Sequence, residues 1–233
     1  MIDVHAHVLP SVDDGSPDVE SSLALLEEEV SQGVTDVICT PHDRRGVFTL
    51  SNEEISRVFE DFSARVRQAG IPVRLYCGRE ITYSPGFSKR LKNGECMTLA
   101  GGRYLLFELP YKGEIDIEEA CYGISLRGYV PVLAHAERFS LLRNVELLRS
   151  LKRSGVKIQV NASSIARIGR GKEHFFAMKL ISLRLADYVG SDVHRSRPND
   201  MAKAYRKVAK FDKAYAEAVF CKNAEEILSD AKK

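Results

Sequence analysis

Short apolar segments alternate with longer amphipathic ones from one end of the chain to the other. MIDVHAH alternates polar and apolar positions and predicts a strand, whereas SPDVESSLALLEEEVSQG carries the helical period. Ser16 is the expected N-cap of that helix, Pro17 occupies its first turn, and Val19, Leu23, Leu26 and Val30 fall on one face. VTDVICT predicts the second strand and NEEISRVFEDFSARVRQAG the second helix. VRLYCG, YLLFEL, VPVLAH, VKIQVN and ADYVGSD repeat the strand signal, and AYAEAVFCKNAEEILSD reads as a closing helix. Residues 81–103 break the rhythm and read as an inserted loop or hairpin. Strands separated by helices pair in parallel through crossovers, so about seven such units predict an α/β fold with a closed or nearly closed barrel. An open doubly wound sheet is the alternative. No repeat, low-complexity tract or Pro/Gly/Ser-rich linker marks a boundary, so residues 1–233 are expected to form a single domain.

Composition narrows the partners. The 34 basic and 32 acidic side chains leave a net charge of +2, which gives no bulk electrostatic case for nucleic acid or for a membrane surface. No apolar run reaches transmembrane length and the start lacks the pattern of a secretory signal, so no direct membrane insertion is expected. Cys39, Cys77, Cys96, Cys121 and Cys221 are odd in number and form no CxxC pair, which points to reduced thiols and a cytoplasmic location.

The reactive side chains are not scattered. Side chains two apart on a strand share a face, so the rings of His5 and His7 can reach one ion. The paired aspartates Asp13 and Asp14 follow in the next loop. His42, Glu80, Glu108, His135, Asp192 and His194 each sit at or just beyond the predicted C-terminal end of a strand, the rim where an α/β barrel gathers its catalytic loops. Glu80 and Glu108 end apolar runs that should be buried, and a buried carboxylate requires a cation or a proton; Arg79 and Arg103 are the competing partners. Ten imidazole and carboxylate candidates without thiolate exceed one tetrahedral zinc site. They suit Mn, Fe or Zn in a multinuclear cluster with Glu80 as a bridge. Paired ions of this kind serve phosphate ester hydrolysis. Arg138 and Arg197, three residues after His135 and His194, can supply the planar fork that grips phosphate oxygens. Arg195 reads as a solvated loop residue and His174, in mid-helix, as structural.

A thiol mechanism competes, because Cys39 and Arg45 have the Cys-x5-Arg spacing of thiol phosphatases. Their cradle needs backbone amides aimed at phosphate at a helix N-terminus. The intervening TPHDR has no glycine, includes a proline and carries an acid. Cys121 and Arg127 repeat the spacing inside a predicted helix. Cys39 therefore reads as a buried strand residue.

MIDVHAHVLPSVDDG, ICTPH, GREI, FELP, LAHAERF and GSDVH, in this order over nearly the whole chain, resemble the PHP (polymerase and histidinol phosphatase) superfamily. Within it they look like the bacterial protein-tyrosine phosphatases of capsule and exopolysaccharide synthesis. The resemblance implies a distorted (β/α)7 TIM-like barrel, three divalent metal ions, often manganese, and a metal-activated hydroxide attacking phosphotyrosine. It implies that His5, His7, Glu80 and Asp192 hold one ion, that Glu80, Glu108 and His135 hold a second, and that His42, His194 and one of Asp13 or Asp14 hold the third. It further implies a tyrosine autokinase as substrate, with Arg138 and Arg197 meeting the phosphate. The chain departs from the pattern at Asp43, where relatives commonly carry a second histidine, and in a short stretch between His194 and Arg197. A small-molecule phosphoesterase, acting on histidinol phosphate or a nucleotide, is the alternative within the superfamily, with Tyr83, Tyr111 and residues 81–103 shaping either pocket. A regulatory module braced by metals is the alternative outside enzymes.

Overall fold

Pro41 has no amide hydrogen to give to a ladder, and there the second expected strand divides into β2 (Asp36–Cys39) and β3 (His42–Asp43). Its neighbour divides at the same level into β4 (Arg74–Cys77) and β5 (Glu80–Thr82). Cys39 pairs with Cys77 and His42 with Glu80, so the register is unchanged across the break and each pair acts as one interrupted strand. The structure, a computed structural model, describes residues 1–110, 115–167 and 171–231; Tyr111 lies outside them.

The remaining strands are β1 (Ile2–Ala6), β6 (Tyr104–Glu108), β7 (Val130–Leu133), β8 (Lys157–Asn161) and β9 (Tyr188–Gly190). Among the described residues they run β1-β2-β4 in one sheet and β3-β5-β6-β7-β8-β9 in the other, with every pairing between strands parallel. The sheet curls back on itself. The Asp192 amide donates to the His5 carbonyl at 2.8 Å, the His7 amide donates to the Val193 carbonyl at 3.1 Å, and Ala6 bridges Val193. This return of the last strand to the first gives a distorted (β/α)7 barrel and replaces the open doubly wound alternative.

The crossovers are α1 (Val19–Ser31), α2 (Asn52–Ala69), α3 (Phe87–Lys92), α4 (Ile117–Ser125), α5 (Val145–Arg153), α6 (Ala162–Ala166) and α7 (Lys172–Ser182). The chain closes with α8 (Met201–Ala209), α9 (Lys213–Glu217) and α10 (Asn223–Asp230), the last two joined through a π turn at Ala218–Lys222, as the closing-helix pattern predicts. Two expectations need correction. Asp18, not Ser16, caps α1 by accepting from the Ser21 amide at 2.7 Å; the buried face of α1 is Ser22, Leu25, Leu26 and Glu29, with Val19, Leu23 and Val30 only partly covered. Residues 81–103 are no hairpin: β5 continues the barrel, and the rest supplies α3, capped by Gly86 in the left-handed region.

Burial follows the layers. Val37, Phe107, Leu133 and Val160 pack outward against Leu26, Phe62, Ile124, Leu148 and Leu180 of the helices. A second cluster joins Ile2, Val4, Ile38, Leu106, Val132 and Tyr188 to Ala224 and Ile227 of α10. All these side chains are less than a tenth exposed, so the barrel wall is rigid and the polar groups left at its mouth are held in place.

Candidate metal centre

β1 does not alternate perfectly: three steps from Asp3 to Ala6 oppose two on β2, a bulge that inserts one residue beside His5. His5 and His7 still converge, with their Nε2 atoms 3.1 Å apart and both rings fully buried. The other ring nitrogen fixes each tautomer. His7 Nδ1 lies 2.7 Å from Asp13 Oδ2, and Asp13 also accepts the amides of Gly15 and His42, each at 2.9 Å. Asp13 is thus an acceptor on every side and His7 donates to it from Nδ1, so Nε2 is the ring nitrogen left to face the cluster. Gly15 is required here because a Cβ would lie 2.2 Å from the His7 carbonyl oxygen.

Glu80 lies at the centre. Its Oε2 is 3.3 Å from His5 Nε2, 3.4 Å from His7 Nε2 and 2.9 Å from His42 Nδ1, while Oε1 is 2.7 Å from His135 Nε2. Glu108 Oε2 is 3.7 Å from His135 Nε2, and Thr82 donates to its other oxygen at 2.6 Å. Asp192 Oδ1 lies 3.8, 3.6 and 3.6 Å from His5, His7 and His194. His194 Nδ1 donates to the Asp192 carbonyl at 2.9 Å, which frees Nε2 toward Asp14 Oδ1 at 3.5 Å; His42 Nε2 lies at the same distance from that oxygen. Asp14 is 57 % exposed along its side chain, yet it joins the cluster that Asp13 only braces. Among the described residues three groups can each surround an ion: His7, Asp14, His42 and His194; His5, His7 and Glu80; and His42, Glu80 and Glu108.

The electrostatics of the protein alone favour positive charge in the cluster. Burial opposes a charge on His7, but Asp13 and Glu80 raise its pKa well above the ordinary value; Glu80 and Asp192 do the same, less strongly, for His5. Burial would raise Glu80, and the charges of His5 and His135 instead hold it well below the usual carboxylate range. His194, buried and beside His7, is pushed down to about 4. Buried Glu80 Oε2, His42 Nδ1 and His194 Nε2 have no hydrogen-bond partner. Two imidazole Nε2 atoms 3.1 Å apart beside a carboxylate, with unpartnered buried polar atoms around them, fit divalent cations bound by mixed nitrogen and oxygen donors. His135 and Asp192 hold φ of 30° and 50°, left-handed conformations that cost side-chain-bearing residues about 1–3 kcal/mol each.

Arg138 and Arg197 both reach this rim and donate to Asp192 Oδ2 at 2.9 and 2.8 Å. The competing partners for the glutamates lie elsewhere. Arg79 is buried and donates to the His42 carbonyl at 2.8 Å and the Leu50 carbonyl at 2.6 Å, bracing the loop after β3, and Arg103 pairs with Asp230. Asp43 is likewise turned to the side, bonded to Arg90. His174 Nδ1 donates to the Ser164 carbonyl, 2.7 Å away in the helical layer, as a structural residue does. Burial lifts the Cys39 thiol well above its ordinary pKa and that of Cys121 to about 12, the reverse of a nucleophilic thiolate. Phe48 stacks on His42 at 5.5 Å and Phe139 lies 5.7 Å from His135, giving the rim apolar flanks.

Sequence reasoning passes over Gln159 and Asn161. They are polar residues two apart on a strand that, after Lys157, alternates them with Ile158 and Val160, the same signature as His5 and His7, and both are buried. Gln159 Oε1 meets His5 Nδ1 at 3.1 Å, and Asn161 Nδ2 donates to Asp192 Oδ2 at 2.7 Å.

Residues 1–229 match the family model for capsular polysaccharide synthesis, CpsB/CapC. The chain is 31 % identical over 196 residues to the tyrosine-protein phosphatase YwqE of Bacillus subtilis, covering 83 % of this chain and 77 % of that one. It is 30 % identical over 240 residues to the tyrosine-protein phosphatase CpsB of Streptococcus agalactiae, covering 99 % of each. A crystal structure from work on the metal-dependent tyrosine phosphatases YwqE of B. subtilis and CpsB of Streptococcus pneumoniae superposes with a TM-score of 0.91 at 29 % identity, over 99 % of this chain and 95 % of that one. A β-aspartyl dipeptidase of Fervidobacterium islandicum shares the fold alone, with a TM-score of 0.58 at 13 % identity over 97 % of this chain and 72 % of that one.

Proposed function

The chain belongs to the CpsB/CapC family of capsular polysaccharide synthesis, and from that membership we infer that it is a metal-dependent protein-tyrosine phosphatase acting on phosphotyrosine in a protein substrate. The observation that carries this reading is Glu80, whose carboxylate lies within 3.4 Å of four imidazoles.

We assign His5, His7, Glu80 and Asp192 to one ion, Glu80, Glu108 and His135 to a second, and His42, His194 and Asp14 to a third, with manganese as the metal. Divalent cations there supply the charge that activates water and offsets the phosphoryl oxygens. Asp13, through the Nδ1 proton of His7, keeps Nε2 free for ligation. Arg138 and Arg197 orient the phosphate by transferring guanidinium donors from Asp192 Oδ2 to its oxygens. Phe48 and Phe139 flank the tyrosyl ring and exclude water from one side of it.

The family's role in capsular polysaccharide synthesis supports a bacterial tyrosine autokinase as the substrate protein. We place the enzyme in the cytosol as one catalytic domain; the five cysteines form no disulfide, and among the described residues no helix is long and apolar enough to cross a membrane.

The test is phosphate release from phosphotyrosine peptide, phosphoserine peptide and histidinol phosphate by manganese-loaded enzyme, alongside a metal count. Turnover of phosphotyrosine alone is expected, lost on chelation and insensitive to thiol alkylation. Faster turnover of histidinol phosphate, or loss of activity on alkylation with metal retained, overturns the reading. Glu80→Ala is expected to lose both metal and activity.

A further inference from the structure

β8 connects two ligands of one proposed ion through an unbroken side-chain path, and the direction of every bond along it follows from one backbone group. The His135 amide donates to Gln159 Oε1 at 2.6 Å. A backbone N–H cannot accept, so that atom of Gln159 is the carbonyl oxygen and no amide flip is open to it. The same oxygen lies 3.1 Å from His5 Nδ1, which must therefore carry the proton and leave Nε2 as the ligating atom. The other end of the Gln159 amide is then the NH2 group, which donates to Asn161 Oδ1 at 2.9 Å. Asn161 in turn presents its NH2 group to Asp192 Oδ2 at 2.7 Å. Asp192 Oδ1, the oxygen facing His5 and His7, stays clear of the path.

All four residues are at least 98 % buried, so water cannot replace a lost partner. The path is also fixed from outside. Glu137 Oε1 accepts the Asn161 backbone N–H at 3.1 Å, and a Cβ on Gly190 would lie 2.8 Å from His5 Cβ and 3.0 Å from Gln159 Nε2. The strand crossing there can carry only hydrogen, and the glutamine has no second position to retreat to.

We propose that Gln159 and Asn161 are positioning residues forming a one-directional hydrogen-bond relay that sets the tautomer of His5 and the orientation of Asp192, and thereby the metal affinity of the site these two share. The proposal rests on the reading of His5 and Asp192 as ligands. It is the direction of the relay, not the mere presence of polar groups, that matters. Gln159→Glu keeps the shape and still accepts from His5 and His135. It can no longer donate to Asn161, whose amide must turn over and set an oxygen against Asp192 Oδ2. Asn161→Asp makes the same clash while leaving the His5 brace untouched. Both substitutions add negative charge near a cation, which by Coulomb attraction alone would tighten binding; the relay requires that they weaken it.

The chain, stripped of metal, is titrated with Mn(II) against a chromophoric chelator, and the His5 tautomer is read from long-range 1H–15N correlations in the metal-free protein at a pH alkaline enough to make its imidazole neutral. Gln159→Glu and Asn161→Asp are expected to retain the Nδ1–H form of His5 and to lose affinity at one site by about 10- to 100-fold. Gln159→Leu loses the same affinity and also the single tautomer. Wild-type or tighter Mn(II) binding by the two acidic variants overturns the directional relay. A His5 ring that stays Nδ1–H in Gln159→Leu overturns the tautomer role. His5→Ala serves as the reference: if it binds Mn(II) like the wild type, the ligand reading itself fails, whereas a loss there with no effect in the β8 variants rejects the relay alone. If Gln159→Leu does not fold, the near-isosteric acidic variants still decide the direction.

Discussion

Asp13 and Asp14 are neighbours with opposite duties. Asp13 accepts two backbone amides and the His7 ring, whereas Asp14 stands half in solvent facing His42 and His194. Asp14→Ala should therefore leave the melting transition within about 0.5 kcal/mol of wild type and lower phosphatase turnover by more than about 100-fold, beyond the loss usual for partners of a ligand. Asp13→Ala strands two buried amides at about 1–3 kcal/mol each, and should lower the thermal midpoint as well as activity. Glu29 makes a different prediction. Burial, and then the charge of Asp3 beside it, raises its pKa well above the ordinary value; Asn199 and Ser191 oppose that only in part. A carboxyl whose folded pKa is raised contributes stability below its unfolded value, about 4.5, and that contribution drains away as pH climbs through the folded value. Glu29→Gln should thus gain stability over wild type progressively above about pH 4.5 in denaturant titrations, and a constant difference across pH would show that the carboxyl does not stay protonated.

At the scale of elements, two glycines set how closely strands and loops approach the centre. Gly15 lets the loop after β1 lie on the His7 backbone, and Gly190 lets β9 pass His5. Adding one methyl group at Gly15 collides with backbone, which no rotamer change relieves. Gly15→Ala should cost several kcal/mol in stability and release metal, as read by calorimetry and metal content. The broken strands have a function as well. The interruption at Thr40–Pro41 and Gly78–Arg79 keeps register while letting His42 and Glu80 begin new two- and three-residue strands directly opposite each other. Glu80, which the sequence places at or just beyond the end of a strand, starts a short one of its own, because the break redirects the chain just before it.

At the scale of the molecule, β1 lies between β2 and the return from β9, so the first seven residues complete the ring and contribute two imidazoles to it. Deleting them should abolish cooperative folding, not merely catalysis. Cations that bind only the folded chain stabilise it by mass action. A chelator should lower the thermal midpoint, and Mn(II) should restore it in a concentration-dependent way; a midpoint indifferent to both would show that metal contributes nothing to the fold.

The alternation of strand and helix signals, and the histidines and carboxylates clustered at the ends of apolar runs, were legible in the sequence because periodicity and burial are local properties. That is why about seven strand–helix units and ten candidate ligands are readable along the chain, while the (β/α)7 barrel itself is what the family resemblance implies. Which aspartate faces the cluster, which arginines turn away to His42 and Asp230, and which neutral amides of β8 stand behind His5 and Asp192 depended on contacts between residues far apart in the chain. Hydrogen-bond direction is decided by the partner on the other side of the barrel, and only the tertiary structure brings that partner into place.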